Sequence, residues 1–262
     1  MTRTIVITGG THGIGKALAH HHAARGDQVV VVASGSRPHE DTPGIRFVRC
    51  DLSSLRHTHD LVNRLATEHP VIDALILAAF RFNPVRVVTE EGFEHTFALY
   101  VLNRHVLAEG LRGPLERAAA PVIVNLCGAG QGGRIHWDDL QLTKSYRPLT
   151  ATMQGARAGE LLGAAYVAER VRYVLYNPVF VATGLHEPFR QPLRGIVRAA
   201  SAVFAQPVSR AIPPIAALVD RPPAEPLTMW RRGRRLAHAV DVDEARRFEE
   251  TVRALSDRRR PG

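Results

Sequence analysis

The residues that could do chemistry begin directly after the first apolar run of the chain. The β-branched run at residues 4–8 ends at a glycine cluster with Gly9, Gly13 and Gly15, and a helix-compatible stretch follows. Glycine adopts positive φ in a tight turn and leaves room for a phosphate or a closely packed helix. The amino end of that helix offers unpaired N–H groups and a partial positive charge to an anion. This pattern predicts a dinucleotide site, and the alternative is an ordinary glycine-rich turn.

A second polar group follows the next apolar run, Gln28–Ala33, and bears on the choice of cofactor. In a dinucleotide site, an acidic residue at this point accepts hydrogen bonds from the ribose hydroxyls of NAD. Here the sequence reads Ser34-Gly35-Ser36-Arg37 and contains no acid. Hydroxyl and guanidinium groups suit a 2′-phosphate, with His12 of the glycine turn as a further contact. We therefore predict NADP(H) rather than NAD(H), against the alternative that Arg37 is a solvated loop residue.

A fold that brings these groups together must place the ends of several strands at one edge of a sheet. The chain alternates strands with helices, as such a fold requires. The predicted strands are 4–8, 28–33, 45–50, 72–79, 122–126 and 172–176. The predicted helices are 16–24, 55–68, 92–111 and 150–170, with a last amphipathic helix within 239–255. The alternation predicts an α/β fold with a doubly wound parallel sheet and helices on both faces.

The length and hydrophobic content favour one domain over residues 1–258, followed by a disordered tail at 259–262. The chain has 262 residues and is 45% hydrophobic, which suits a single core. Residues 184–214 lose the alternating pattern and are rich in proline. We predict that this segment is a lid over a small-molecule substrate. The alternative is a surface excursion with a short helix at 193–204.

The composition argues against several classes of function. The net charge is +9, but only Lys16 and Lys144 are lysines, and the arginines are spread along the chain, so we predict no nucleic-acid partner. No apolar run reaches the length of about 20 residues that a membrane-spanning helix needs. The chain starts directly in a strand, so we expect a cytoplasmic protein. Cys50 and Cys127 lack metal or disulfide spacing, and we predict no metal site.

With these residues in view, the chain resembles the short-chain dehydrogenase/reductase family along nearly its whole length. The turn at residues 8–15 looks like the family's TGxxxGIG turn, and Asp51-Leu52 looks like its adenine-contacting Asp-Leu pair. Residues 177–183 look like its Pro-Gly-x-x-x-Thr segment, with Val179 where the family has glycine. The stretch 137–146 and the Gly/Ala-rich helix after it are most similar to the branch that contains retinol and protochlorophyllide reductases.

The resemblance implies a Rossmann-type fold, an NADP(H) cofactor and a small-molecule substrate. It also implies a homodimer, since the family often pairs through its fourth and fifth helices. The cofactor contacts that we predict are Gly9, Thr11, His12, Gly13, Ile14, Gly15, Ser34, Arg37, Asp51, Leu52 and Thr183.

The family's catalytic side chains are missing from this sequence. The family uses a Tyr as acid or base, a Lys one helical turn later on the same face, a Ser that orients the carbonyl, and an Asn in a proton relay. Alignment puts Thr152 at the Tyr position, Ala156 at the Lys position and Tyr100 at the Asn position. The Ser position falls on Cys127 or Gly128. A positioned acid typically contributes about 10²–10⁴-fold, so ordinary carbonyl reduction by the family's mechanism is disfavoured.

One interpretation keeps hydride transfer but changes the acceptor. An activated C=C or C=N bond, as in an enone or an iminium, needs less help from an acid than an ordinary ketone. Tyr100 would then be the acid, and Arg104, one helical turn along, would stabilise its phenolate; the alternative is that Tyr100 is only a packed aromatic. The candidate catalytic residues are Tyr100, Thr152 and Arg104.

Two other interpretations stay open at this point. The small residues around Thr152 would widen the pocket, and the protein would then be a non-redox cyclase, isomerase or dehydratase of secondary metabolism. Its acid or base would be Tyr100, His105, Asp138 or Glu160. The third interpretation is a catalytically inactive protein that binds the cofactor without consuming it.

Overall fold

Seven short apolar segments form a parallel sheet, and an eighth strand pairs with its edge. The computed structural model describes residues 2–35, 42–179, 207–237 and 239–257. The strands are β1 Thr4–Thr8, β2 Gln28–Ala33, β3 Ile45–Arg49, β4 Ala74–Leu77, β5 Val122–Leu126, β6 Arg172–Asn177, β7 Leu227–Arg231 and β8 Arg234–Leu236. Their order is β3-β2-β1-β4-β5-β6-β7-β8, and only β8 runs antiparallel to its neighbour.

Helices cover both faces of this sheet. They are α1 Gly13–Ala23, α2 Leu55–Glu68, α3 His95–Phe97, α4 Asn103–Gly110, α5 Arg112–Glu116, α6 Pro148–Ala165, α7 Val208–Asp220 and α8 Val242–Asp257. A π-helical segment, Ala98–Leu102, joins α3 to α4. One apolar cluster lies under α1 and α7, and the other lies under α2, α4, α6 and α8. The central strands are buried on both sides, which parallel strands require, so the predicted doubly wound fold is confirmed.

The sequence located most of these elements, and several bounds agree. β2, β5 and α2 begin and end at the predicted residues. The predicted helix at 92–111 is wrong in detail, because it begins only at His95 and its middle turn is π-helical. The predicted helix at 150–170 ends early, at Ala165, because Tyr166 has an extended backbone.

The strands β7 and β8 were not predicted at all. The charged sequence Arg231-Arg232-Gly233-Arg234-Arg235 looks like a solvated surface, yet it forms the end of a two-stranded hairpin. The signal that would have found it is the two-residue loop Arg232-Gly233, in which both residues have positive φ. Such loops are typical of tight β-hairpins.

Part of the predicted lid is instead a packed helix. Residues 208–214 lie in α7, where Ala211 and Ile212 are buried against the sheet, so the lid prediction is wrong for those residues. Pro213 and Pro214 lie inside this helix, and prolines at such positions usually argue against one. The rest of the predicted lid, the short helix at 193–204 and the tail at 259–262 lie outside the described residues.

The last helix, α8, packs mainly against α6. Ala245, Phe248 and Val252 of α8 are buried, and Arg157 of α6 pairs with Glu244 at the start of α8. The homodimer that the family resemblance implies stays a prediction. Within the described ranges, no helix has the length and apolar character to cross a membrane.

Candidate functional site

The loops that follow β1, β4, β5 and β6 meet at one edge of the sheet. These four strands are adjacent and parallel, so their carboxyl ends lie side by side. Ligands of open α/β sheets bind in the crevice outside this edge. The candidate site is therefore assembled from segments that are far apart in the sequence.

The glycine turn after β1 is packed so tightly that side chains would not fit. A Cβ added to Gly9, whose φ is +70°, would lie 2.8 Å from the Ala79 backbone. A Cβ on Gly15 would collide with the carbonyl of Gly9. The Thr8 hydroxyl accepts hydrogen bonds from the N–H groups of Ala78 and Ala79 at 3.1 and 3.2 Å, which ties this turn to the end of β4.

The amino end of α1 is open toward this turn. His12 precedes the helix with an extended backbone, no side chain caps the helix, and its first turn holds no acidic residue. The Thr11 hydroxyl lies 3.0 Å from Nδ1 of His12. The Ile14 side chain belongs to the core, so only its backbone N–H is available to a ligand. Unpaired N–H groups at a helix start are a ready anion site.

The other predicted cofactor contacts differ in accessibility. Asp51 is exposed, and its Oδ1 accepts hydrogen bonds from the backbone N–H and the hydroxyl of Ser53 at 3.0 and 2.7 Å. The Leu52 side chain is buried in the core, so only the backbone of Leu52 is available to a ligand, and the predicted contact stays a prediction. Ser34 is exposed at the end of β2. Two further predicted contacts lie outside the described residues: Arg37 and Thr183.

Tyr100 lies in the π-helical segment, between a cation and a second aromatic ring. The guanidinium carbon of Arg104 is 3.9 Å from the centroid of the Tyr100 ring. The ring of Phe80, which is 41% exposed, meets Tyr100 edge to face at 5.4 Å between centroids. The ring also fills the space beside Gly155 of α6, where a Cβ would collide with it. π-helical turns are frequent at functional sites.

Arg104 is a buried cation held by neutral oxygen atoms. Its Nη1 donates to the side-chain oxygen of Asn125 and to the carbonyl of Leu126, the latter at 2.9 Å. Its Nη2 donates to the carbonyl of Ala79 at 3.0 Å. These contacts join the ends of β4 and β5 and fix the guanidinium against the face of Tyr100. A fixed cation of this kind favours negative charge nearby.

Tyr100 is protonated at neutral pH in this environment. Burial raises the pKa of the Tyr100 phenol to about 12, although the Arg104 cation and the backbone N–H of Gly128 favour the phenolate and oppose this rise. Desolvation of the charged form outweighs both of these contacts. The Tyr100 phenol therefore keeps its proton at neutral pH, which excludes a role as a base there.

The residues at the family's other catalytic positions are hydrogen-bonded within their own helix or buried. The Thr152 hydroxyl donates to the Pro148 carbonyl of its own helix at 2.9 Å, so its proton is already engaged. Ala156 is buried and lies close to Gly128. Burial raises the pKa of the Cys127 thiol to about 11, so Cys127 is not a thiolate at neutral pH. Of the three predicted catalytic residues, Tyr100 and Arg104 are in direct contact, while the Thr152 hydroxyl is bonded to its own helix.

The alternative acids and bases lie in different environments. Glu160 accepts hydrogen bonds from the backbone N–H of Gly130 at 2.8 Å and from Arg157 at 3.0 Å. Burial lowers the pKa of His105, and the carboxylates of Glu109 and Glu249 only partly oppose this effect. Asp138 is exposed in the loop that precedes α6.

Sequence reasoning missed Asn177 and Phe80 as parts of this edge. The Asn177 amide donates to the Ala129 carbonyl at 2.8 Å and accepts from the N–H of Val179 at 2.8 Å, so it links the loops after β5 and β6. Val179 has a φ of +61°, which is strained for a β-branched residue. An aromatic residue directly after a buried strand was the available signal for Phe80.

Comparison with known proteins identifies relatives of this chain. The sequence model of the short chain dehydrogenase family matches residues 3–137. Retinol dehydrogenase 13 of Mus musculus is 30% identical over 149 residues, which are 53% of this chain and 45% of that protein. Human polyprenol dehydrogenase is 27% identical over 171 residues, 60% of this chain and 52% of that protein. The matches thus span about half the length of these relatives.

The fold recurs in a solved structure with a bound cofactor. The 3-alpha-hydroxysteroid dehydrogenase from Pseudomonas sp. B-0831, complexed with NADH, superposes with a TM-score of 0.66 at 21% identity, covering 88% of this chain and 96% of that one. The likeness at this identity concerns the architecture.

Proposed function

Because this chain belongs to the short-chain dehydrogenase family, we propose that it is a divergent NADP(H)-dependent reductase of an activated C=C or C=N bond in a small molecule. The close-packed glycine turn and the uncapped start of α1 support a site for the cofactor pyrophosphate. When bound there, the cofactor supplies a hydride. The remaining task of the protein is to hold the substrate and to deliver a proton.

The preference for NADP(H) rests on the end of β2. Ser34 is exposed there, and the next three residues, Gly35-Ser36-Arg37, include a hydroxyl and a guanidinium group but no carboxylate. Exposed Asp51, with its Oδ1 held by Ser53, is available to the adenine. Replacing Ser34 with Asp should therefore shift the preference from NADPH toward NADH.

Tyr100 is the proton donor in this proposal. Its buried phenol stays protonated until the adjacent substrate atom becomes strongly basic after reduction begins. The phenol then transfers its proton to that carbon or nitrogen, and Arg104 stabilises the phenolate that remains until solvent returns the proton. Phe80, exposed above Tyr100, packs against the flat unsaturated part of the substrate.

One observation carries this assignment: the Tyr100 ring lies between Arg104 and Phe80 at the carboxyl edge of the sheet. The Thr152 hydroxyl donates to a carbonyl of its own helix, and Ala156 carries no charge. In this proposal, Tyr100 therefore takes the role of the family's usual acid. A phenol with a raised pKa is poorly suited to activate an ordinary ketone. It suits acceptors whose own reactivity lowers the barrier.

The test measures cofactor binding and turnover separately. Titration with NADPH and NADH, followed by nucleotide fluorescence, should give tighter binding of NADPH. Absorbance at 340 nm should then fall with cyclic enones or imines and stay constant with the matching saturated ketones. Product formation without loss of absorbance would indicate a non-redox enzyme, and absence of NADPH binding at millimolar concentration would remove the proposal altogether.

A further inference from the structure

An arginine-rich hairpin lies at the same edge of the sheet, beyond β6. The N–H of Arg232 donates to the Asn177 carbonyl at 3.1 Å, so the hairpin loop adjoins the end of β6. Arg231 of β7 lies directly opposite Arg234 of β8. Arg231, Arg232 and Arg234 are all exposed.

The pairing places Arg231 and Arg234 on the face of the sheet that carries Tyr100. Side chains alternate along a strand. Met229 and Leu236, the next pair with the same orientation, belong to the core cluster that includes Tyr100, and a Cβ on Gly130 would lie 2.6 Å from Leu236. The two arginines therefore extend outward from the loop after β5, on the side of the proposed substrate site.

This hairpin is unfavourable for folding in two respects. Like charges directly opposite each other on paired strands destabilise the pair. Arg232 has a φ of +48° in a two-residue loop that favours Asn or Gly. Among the described residues, Arg235 pairs with Glu225 at 2.8 Å, and no carboxylate lies within ion-pair distance of Arg231, Arg232 or Arg234. Strain that is retained beside a site indicates a functional demand.

We propose that Arg231, Arg232 and Arg234 bind a phosphate group carried by the substrate. Guanidinium groups match phosphate oxygens with paired hydrogen bonds, and three arginines on one hairpin suit a phosphate group better than a single carboxylate. That the phosphorylated ligand is the substrate rests on the proposed function, because the hairpin adjoins the proposed site of reduction. That the hairpin binds a phosphate group does not depend on the proposed function.

The cofactor's own phosphates cannot be the ligand. The glycine turn follows β1, four strands from β7, and Ser34 follows β2, five strands away. At about 4.8 Å per strand, these separations are about 19 and 24 Å. The phosphate is therefore part of the other ligand, on the far side of the crevice. It belongs either to a free phosphorylated molecule or to the prosthetic arm of a carrier protein.

The experiment compares two probes that differ only in the phosphate. Calorimetric titration with 4′-phosphopantetheine and with pantetheine is done with NADPH at saturation. We expect only the phosphorylated probe to bind, and the Arg231→Gln/Arg234→Gln variant to bind it at least tenfold more weakly. The control variant Arg246→Gln/Arg253→Gln removes two exposed charges from α8 and should bind like the parent. Equal binding of both probes, or an unchanged affinity of the hairpin variant, would overturn the proposal.

A second variant separates binding from folding. Arg234→Glu should form an ion pair with Arg231 and raise the melting temperature, while it abolishes binding of 4′-phosphopantetheine. Retained binding in this stable variant would contradict the proposal. NADPH binding is measured on the same preparations, so loss of the cofactor site is recognised independently of the hairpin.

Two further titrations distinguish the sources of the phosphate. A holo carrier protein that binds more tightly than 4′-phosphopantetheine, with no binding of its apo form, identifies the prosthetic arm. Binding of the holo form no tighter than that of the free probe identifies a free phosphorylated molecule.

Discussion

Tyr100 and Arg104 are the two side chains on which the proposed chemistry depends. The guanidinium of Arg104 lies over the ring of Tyr100. Its N–H groups donate hydrogen bonds to Asn125, Leu126 and Ala79. These hydrogen bonds fix the Arg104 cation beside the Tyr100 phenol. This arrangement differs from a Tyr–Lys pair one helical turn apart, in which the cation lowers the pKa of the phenol. Here burial dominates, and the pKa of Tyr100 rises to about 12.

Removal of the Tyr100 hydroxyl should lower kcat and leave the affinity for the cofactor unchanged. Tyr100→Phe keeps the ring between Arg104 and Phe80 but removes the proton, so kcat should fall about 100-fold on the substrate identified by NADPH oxidation. The dissociation constant for NADPH should stay within twofold of the parent. An unchanged kcat would show that Tyr100 is only a packing residue.

The raised pKa of Tyr100 predicts an unusual pH profile. An acid catalyst works in its protonated form, and the phenol loses its proton only as the pH rises through about 12. The rate should therefore show no ionisation that depends on Tyr100 between pH 6 and 10. This is checked by comparing kcat profiles of the parent and Tyr100→Phe. A titration in this range that disappears in the variant would contradict the environment described here.

Val179 offers a test of backbone strain at a single residue. Its φ of +61° is unfavourable for a β-branched side chain, and glycine adopts this conformation freely. Val179→Gly should raise the free energy of unfolding by about 1 kcal/mol in urea titrations. Val167→Gly is the control, because Val167 is 78% exposed and is absent from the positive-φ residues, so glycine there should only lose stability.

At the scale of elements, the site depends on how α6 approaches the π-helical segment. The Tyr100 ring occupies the place where residue 155 would carry a side chain, and Gly159 lies one turn further along the same face. The glycines of α6 were visible in the sequence, but the sequence did not indicate which of them is required. The π-helical turn of Ala98–Leu102 was hidden as well, because its residues read as ordinary helix.

Two glycines of α6 should respond in opposite ways to alanine. Gly155→Ala forces a Cβ into the Tyr100 ring and should destabilise the protein by about 1–3 kcal/mol. Gly159→Ala meets its nearest atom, Nδ2 of Asn125, at an ordinary 3.5 Å, and should be neutral or stabilise by up to about 1 kcal/mol. Thermal unfolding of both variants measures the contrast. Equal melting temperatures would show that the ring moves aside without cost.

At the scale of the whole molecule, α8 closes the face that carries α4 and α6. Phe248 is fully buried and meets Trp137 edge to face at 5.9 Å, while Arg247 lies over the Trp137 ring at 3.9 Å. The carboxyl-terminal helix therefore holds the loop before α6 in place. The loop that carries Trp137 is in this way stabilised by a helix that lies about 110 residues later in the chain.

Truncation of Phe248 should show how much this closure contributes. Phe248→Ala should lower the free energy of unfolding by about 3–5 kcal/mol, because a large buried ring is replaced by a cavity. Val242→Ala, at a 67% exposed position of the same helix, should change it by less than about 0.5 kcal/mol. Urea titrations give both values. A small loss for Phe248→Ala would mean that α8 docks without supporting the fold.

The sequence by itself determined the alternation of strands and helices, the glycine turn and the absence of the Tyr–Lys pair. Local signals suffice for these features, since strand burial, turn geometry and residue identity are properties of short segments. Only the tertiary structure decided that Asn125, Leu126 and Ala79 hold Arg104, that Gly155 makes room for the Tyr100 ring, and that Arg231 faces Arg234 beside Asn177. Such contacts join residues from different strands and helices, and their distances are fixed by the packing of the whole sheet.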